Sequence, residues 1–136
     1  MKTLRFFLIT CFALATLSSC EKQEELNPEL VSLVAGNYPF SHVVADGQTY
    51  ALGQTNLSGR ASVERKSAKS VKLAWSYKRG NSSYSGSYTG VSLSDAGTGE
   101  IELRYSGNLI ATVSDGTLHI KVENSSGEQM VFVGSR

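Results

Sequence analysis

The chain has 136 residues, with 13 basic against 12 acidic side chains and a formal net charge of +1. So even a balance gives no general attraction to nucleic acid. The length allows one domain with one modest core, not two.

The first residues carry an address. Lys2 and Arg5 make a positive start, and Phe6 to Leu17 is an uncharged, mainly apolar run. That run is too short to cross a bilayer comfortably, which takes about 20 apolar residues. A positive start, a short apolar core and small residues before a cut are the parts of a secretory signal. Leu17-Ser18-Ser19-Cys20 resembles the lipobox of bacterial lipoproteins: an aliphatic residue, two small residues and the cysteine that receives lipid. The resemblance implies a signal peptide over 1–19, cleavage before Cys20, and a membrane anchor through acyl chains on its sulfur. The other cysteine, Cys11, leaves with the signal peptide. Cys20 is then the only thiol of the mature chain, and none is left for a disulfide, a thiol nucleophile or a thiolate metal site.

A polar tether follows over 20–30. Glu21 to Glu29 reads EKQEELNPE, four glutamates and one lysine, a net charge of −3. Such a stretch cannot bury enough surface to fold alone. It resembles the acidic export signal of surface lipoproteins in the Bacteroidetes, with Lys22 and the Glu24-Glu25 pair as the matching residues and Gln23 interposed. A plain solvated spacer fits it equally. The expected address is the bacterial outer membrane, facing either the periplasm or the outside.

The remaining residues, 31–136, alternate with period two, as side chains of a half-buried strand do. Val71, Leu73, Trp75 and Tyr77 alternate with Lys72, Ala74, Ser76 and Lys78. Ile101, Leu103 and Tyr105 alternate with Glu102 and Arg104, and Leu118, Ile120 and Val122 with His119, Lys121 and Glu123. Leu57, Ala61 and Val63 share a face with Gly59. Short glycine turns at Asp46-Gly47, Ser106-Gly107-Asn108 and Asp115-Gly116 indicate hairpins and therefore antiparallel neighbours. Eight or nine strands are expected, near 36–45, 48–53, 56–66, 70–79, 83–93, 98–106, 109–114, 117–123 and 128–134, with one helical turn near Pro28 to Leu33. Tyr84, Gly86, Tyr88 and Gly90 lie on one face, but Val91 and Leu93 lie on the other. A bulge near Thr89-Gly90 would repair that slip.

Such a set of short antiparallel strands closes into an up-and-down barrel or splits into a sandwich. Leu33-Val-Ala-Gly-Asn-Tyr38 resembles the opening of lipocalin-like (calycin) barrels, where a helical turn leads into Gly-x-Trp or Gly-x-Tyr and the aromatic closes the floor. The resemblance makes Gly36 and Tyr38 the barrel-closing motif and Arg136 the basic residue that packs over it. It also implies a small all-β barrel, with Tyr38, Phe40, Leu73, Trp75, Tyr77, Ile101, Leu103, Leu118, Ile120 and Phe132 pointing inward. An eight-stranded barrel of this size is nearly filled by side chains or holds one small ligand.

The charges are unevenly spread. Between Arg60 and Arg79 seven basic residues meet one acid, Glu64, whereas Asp95 to Glu128 holds six acids and two bases. Solvated strand exteriors account for this; so would a basic face that meets an anionic lipid or glycan. No Gly-x-Ser-x-Gly, His-x-His or phosphate loop is present, and no nucleophile, base and orienter can be assembled, so no enzyme, metal or cofactor is expected. His119 belongs to a polar face, and His42 is expected inward near Phe40. Glu100, Glu102 and Arg104 read as a surface ion-pair ladder. The six tyrosines and one tryptophan all lie in the mature domain. Tyr and Trp join an apolar body to a polar tip, which suits pocket walls as well as cores. Two functions are therefore open. One is a barrel binding a small apolar or amphipathic ligand beside Trp75, Tyr77, Tyr84 and Tyr88. The other is a filled barrel that engages an envelope protein or glycan through its exterior.

Overall fold

The computed structural model describes residues 28–67 and 70–136. The segments read as signal peptide, lipobox cysteine (Cys20) and tether as far as Asn27 lie outside the described residues. The helix α1 (Pro28–Val34) comes first, so the last three residues ascribed to the tether are helical. Nine strands follow: β1 (Gly36–Ala45), β2 (Gln48–Ala51), β3 (Leu57–Arg65), β4 (Val71–Arg79), β5 (Ser82–Asp95), β6 (Glu100–Tyr105), β7 (Asn108–Ser114), β8 (Thr117–Glu123) and β9 (Gln129–Ser135). A 3-10 turn, Leu52–Gln54, joins β2 to β3.

Every pairing is antiparallel. The order is β2-β1-β3-β4-β5-β6-β7-β8-β9, and β1 also pairs with β9. That last pairing closes the sheet into a barrel and settles the choice against a sandwich. β2 stands outside the ring as an added strand on the far half of β1. The turns expected from Asp46-Gly47, Ser106-Gly107 and Asp115-Gly116 each place both central residues at positive φ, between 49° and 81°. This backbone matches the right-handed strand twist, so two residues suffice to reverse the chain.

Two bent strands carry the closure. β1 pairs with β3 through Gly36–Pro39 and with β9 from Phe40 onward, with a register shift between Phe40 and His42. β5 pairs with β4 up to Thr89, skips Gly90, resumes with Val91 opposite Val71, and pairs with β6 from Ser92. Gly90 has φ +81°, so the expected bulge sits where the apolar phase slips. The bulge in β1 has a consequence that the sequence reading missed. His42 does not point inward beside Phe40: it pairs with Val133, while Val43 takes the inner position opposite Phe132. The extra residue, Ser41, moves His42 to the outer face, where its Nδ1 lies 2.9 Å from Ser41 Oγ.

Nine of the ten residues expected inward are buried, and Trp75 is partly so. Val34, Tyr38, Leu73, Val91, Leu103, Leu118, Ile120 and Phe132 are fully buried. At the floor, α1 lays Val31 and Val34 across the barrel end. The Tyr38 hydroxyl donates to the Val34 carbonyl at 2.6 Å. Arg136 Nη1 donates to the Ala35 carbonyl at 2.6 Å, and the Arg136 chain rests so close to Gly36 that a Cβ there would lie 3.1 Å from its Cδ. Gly36, Tyr38 and Arg136 thus meet at one point and tie both ends of the domain to the helix.

This floor makes stability depend on pH. Burial pushes the Tyr38 phenol above its ordinary value of 10.0, with the nearby Arg136 pulling weakly the other way. A raised folded pKa means that the contribution is complete below pH 10 and is lost as pH climbs toward the folded value. Urea midpoints are expected to fall above about pH 10, and Tyr38→Phe should flatten that fall. Tyr77, raised chiefly by burial too, should keep part of it. At neutral pH Tyr38→Phe should cost about 1 kcal/mol for the lost hydrogen bond.

Candidate functional site

Strand register puts the four aromatic residues singled out in the sequence on one inner surface. Ala61, Trp75 and Gly86 form one cross-strand row, and Gly59, Tyr77 and Tyr84 the next. Each row sets a large side chain beside small ones. Gly86 leaves room for the indole: a Cβ there would lie 2.5 Å from Trp75 Cζ2. Trp75 stacks on Tyr77 at 5.9 Å between centroids, and Tyr77 on Tyr84 at 4.9 Å. Tyr88 sits apart from these three, against Tyr105 at 5.2 Å.

The rings also cross the barrel. Tyr77 of β4 meets Phe132 of β9 at 4.8 Å, and Phe132 meets Phe40 of β1 at 4.8 Å. Strands three places apart in the ring are therefore in direct contact through side chains, and the interior is occupied at that level. Of these rings Tyr84 and Tyr105 reach solvent most, at 44 % and 39 % exposed, and Trp75 and Tyr88 are partly buried. Among the described residues one buried side-chain polar group is unmatched: Trp75 Nε1 has no hydrogen-bond acceptor.

Two hollows open on these same strands and take in Tyr77 and Tyr84 in one and Trp75 in the other. They have volumes of about 550 and 580 Å³ and open to solvent. Both include Arg60, Ser76 and Ser85, which form one row across β3, β4 and β5. By strand alternation that row belongs to the outer face. The next rows are Ser58, Lys78 and Ser83 on one side and Ser62, Ala74 and Ser87 on the other. The hollows therefore adjoin as a groove on the barrel exterior, lined mainly by small residues. Arg60 is shared by both, Lys78 lies in the first and Glu64 in the second, and Trp75, Tyr77 and Tyr84 of the inner rows also contribute to the lining. Sequence reasoning placed these serines on solvated strand faces and did not see a groove. The basic run from Arg60 to Arg79 was the only signal, and the structure shows what it does. Arg60, Lys72 and Lys78 share this outer face with the one acid of the run, Glu64, which lines the second hollow, sits opposite Lys72 and pairs with Lys66 at 3.1 Å.

The other motifs stay on the surface. Arg104 grips Glu102 through Nε at 2.9 Å and Nη2 at 2.7 Å, and its Nη1 reaches the Gly107 carbonyl at 3.3 Å. That is the expected ladder pinning the β6–β7 turn, although Glu100 is not part of the grip. His119 is exposed. Among the described residues no three His, Cys, Asp or Glu side chains come together to hold a metal ion.

These features define a closed antiparallel β-barrel with a packed interior, a capped floor and a polar outer groove. One solved structure of similar fold is a Bacteroides fragilis protein provisionally named an outer membrane protein, at a TM-score of 0.53 and 15 % identity. The match covers 79 % of this chain but only 52 % of that one, so the chain spans about half of its length. At this identity the likeness is one of fold. No protein-family model matches the chain, and no curated protein matches it either.

Proposed function

We propose that this protein is a lipid-anchored lipoprotein of the bacterial outer membrane whose packed barrel presents the outer groove of β3–β5 to an acidic envelope glycan. The observation that carries the reading is the placement of space. Both hollows share the outer row Arg60–Ser76–Ser85, while Tyr77 and Phe132 bring facing walls together inside. A protein partner is less well matched, because interface centres are apolar and these outer rows carry serine, alanine and lysine. Hydroxyls and a guanidinium suit a polar, anionic chain. The lipobox at Cys20, the acidic tether and the provisional name of the Bacteroides fragilis protein support the outer-membrane address. The role is binding, without catalysis.

Retention on dextran sulfate beads against neutral dextran tests this. The protein should bind the sulfated matrix, and Arg60→Glu should weaken retention about tenfold, as expected for a charge-assisted contact turned repulsive. The difference should shrink as salt rises, since the contact is exposed. Equal retention on neutral dextran, or an unaffected variant, would overturn the reading. The anchor has its own test: Cys20→Ser should release the protein from membranes.

A second reading has one observation in its favour. The unmatched Trp75 Nε1, beside the half-open Tyr84, fits a small apolar or amphipathic ligand held by Trp75, Tyr77, Tyr84 and Tyr88 at the barrel mouth. Native mass spectrometry of protein purified from its own membranes separates the two: a retained molecule of small mass supports the second.

A further inference from the structure

β5 is 14 residues long and its neighbour β6 only six. β6 pairs with Ser92–Asp95 alone. Among the described residues, the other edge of Ser82–Gly90 therefore has no strand beside it, and the barrel wall carries a seam there. A free strand edge presents unpaired N–H and C=O groups, and soluble proteins normally protect such edges with charge, proline or short length. This edge has none of those. It is long and mostly exposed, and no charged residue occurs between Arg79 and Asp95.

Its sequence also names a partner. Ser83-Tyr84-Ser85-Gly86-Ser87-Tyr88-Thr89 reads nearly the same in both directions about Gly86. Antiparallel pairing of two copies around a two-fold axis joins a strand to its own reverse, so a palindromic edge is self-complementary. With the axis at Gly86, Tyr84 faces the partner's Tyr88, Ser85 the partner's Ser87, and Ser83 the partner's Thr89. Inner side chains then meet inner ones across the seam. Shifting by one residue would set Tyr84 against Ser87 or Thr89 and mix the faces. Shifting by two would set it against a glycine.

We propose that this edge is the dimer interface of the protein: two chains pair β5 to β5 by strand addition, joining their β3–β4–β5 faces into one sheet. Matched tyrosines and hydroxyls supply the favoured cross-strand pairs. Because no lysine or glutamate lies on the edge, self-pairing meets no like-charge repulsion. The inference does not rest on the glycan reading, but it would place the two outer grooves side by side across the axis.

Native mass spectrometry of the full chain in detergent tests it. The wild type should be dimeric at micromolar concentration. Ser85→Lys with Ser87→Lys puts lysines opposite lysines and should raise the dissociation constant at least tenfold; mixing that variant with Ser85→Glu/Ser87→Glu chains should restore a dimer. Both serines are exposed, and Trp75 fluorescence checks that the fold survives. Register is tested separately. Mixed Ser85→Cys and Ser87→Cys chains should cross-link on oxidation, and each variant alone should not. A wild type that stays monomeric, a dimer indifferent to the lysine pair, or cross-linking without this pattern overturns the proposal. Polyanion retention reports on Arg60 and not on mass, so failure of either reading is visible without the other.

Discussion

Phe132→Ala is expected to remove about 3–5 kcal/mol of stability, the range for deleting a buried aromatic ring. Phe132 is fully buried and touches Phe40 on one side and Tyr77 on the other, each at 4.8 Å between centroids. It is the ring through which β9 reaches across the interior to β4. Its neighbours belong to strands fixed by their own ladders, so they cannot close in completely, and the cavity term adds to the lost transfer energy. Domains of this size hold only about 5–15 kcal/mol in total. The urea midpoint should fall steeply with little change in slope. The variant also bears on function. A hollow opened beside Tyr77 should take up a small apolar probe such as benzene, which the wild type should not. Retention on dextran sulfate below the melting point should be unchanged, because Arg60 faces the other way.

Much of this architecture was legible because the physics that shapes a half-buried strand is local. Alternation along Val71, Leu73 and Tyr77 requires only that successive side chains point to opposite faces. The bulge at Gly90 was readable since apolar residues change phase around a glycine. The bulge in β1 was not. Val43 and Val44 are both apolar, so either phase leaves a hydrophobic residue inside, and nothing local shows that Ser41 is the extra residue that turns His42 outward. The inner set Trp75, Tyr77, Tyr84 and Tyr88 could be named from alternation, but its division could not. Tyr77 reaches Phe132 only because the barrel closes, and Tyr88 meets Tyr105 only because β6 stops short. The groove was hidden for a related reason. Ser62, Ser76 and Ser85 look like any solvated positions until three strands are set in register. The free edge is likewise a property of pairing: Ser82–Gly90 is exposed because of how short β6 is.

The glycine that the barrel can least afford to change is Gly59. A Cβ at Gly59 would lie 2.5 Å from the Ser76 carbonyl oxygen, 2.7 Å from Tyr77 Cβ and 2.9 Å from Phe40 Cδ2. The first of these atoms is backbone in the central ladder and cannot turn aside as a side-chain tip can. Gly134 flanks Phe40 from the other side, where a Cβ would lie 2.8 Å from the Pro39 carbonyl oxygen and 3.2 Å from Phe40 Cδ1. The Phe40 ring, at the bend of β1, therefore occupies a slot between two glycines. Without that slot Phe40 could not reach Phe132, and the bent strand could not serve both halves of the barrel. Gly59→Ala is expected to cost about 3 kcal/mol or more, at or above the usual upper range for overpacking. Gly86→Ala is the informative contrast. Its clash is with the Trp75 indole, a side chain that can swing outward, so the loss should be smaller, within about 1–3 kcal/mol. Tryptophan emission should shift to the red in that variant and not in Gly59→Ala. If both substitutions cost the same and neither moves the emission, Trp75 does not owe its position to Gly86, and the alternation of large and small side chains does not organise the interior.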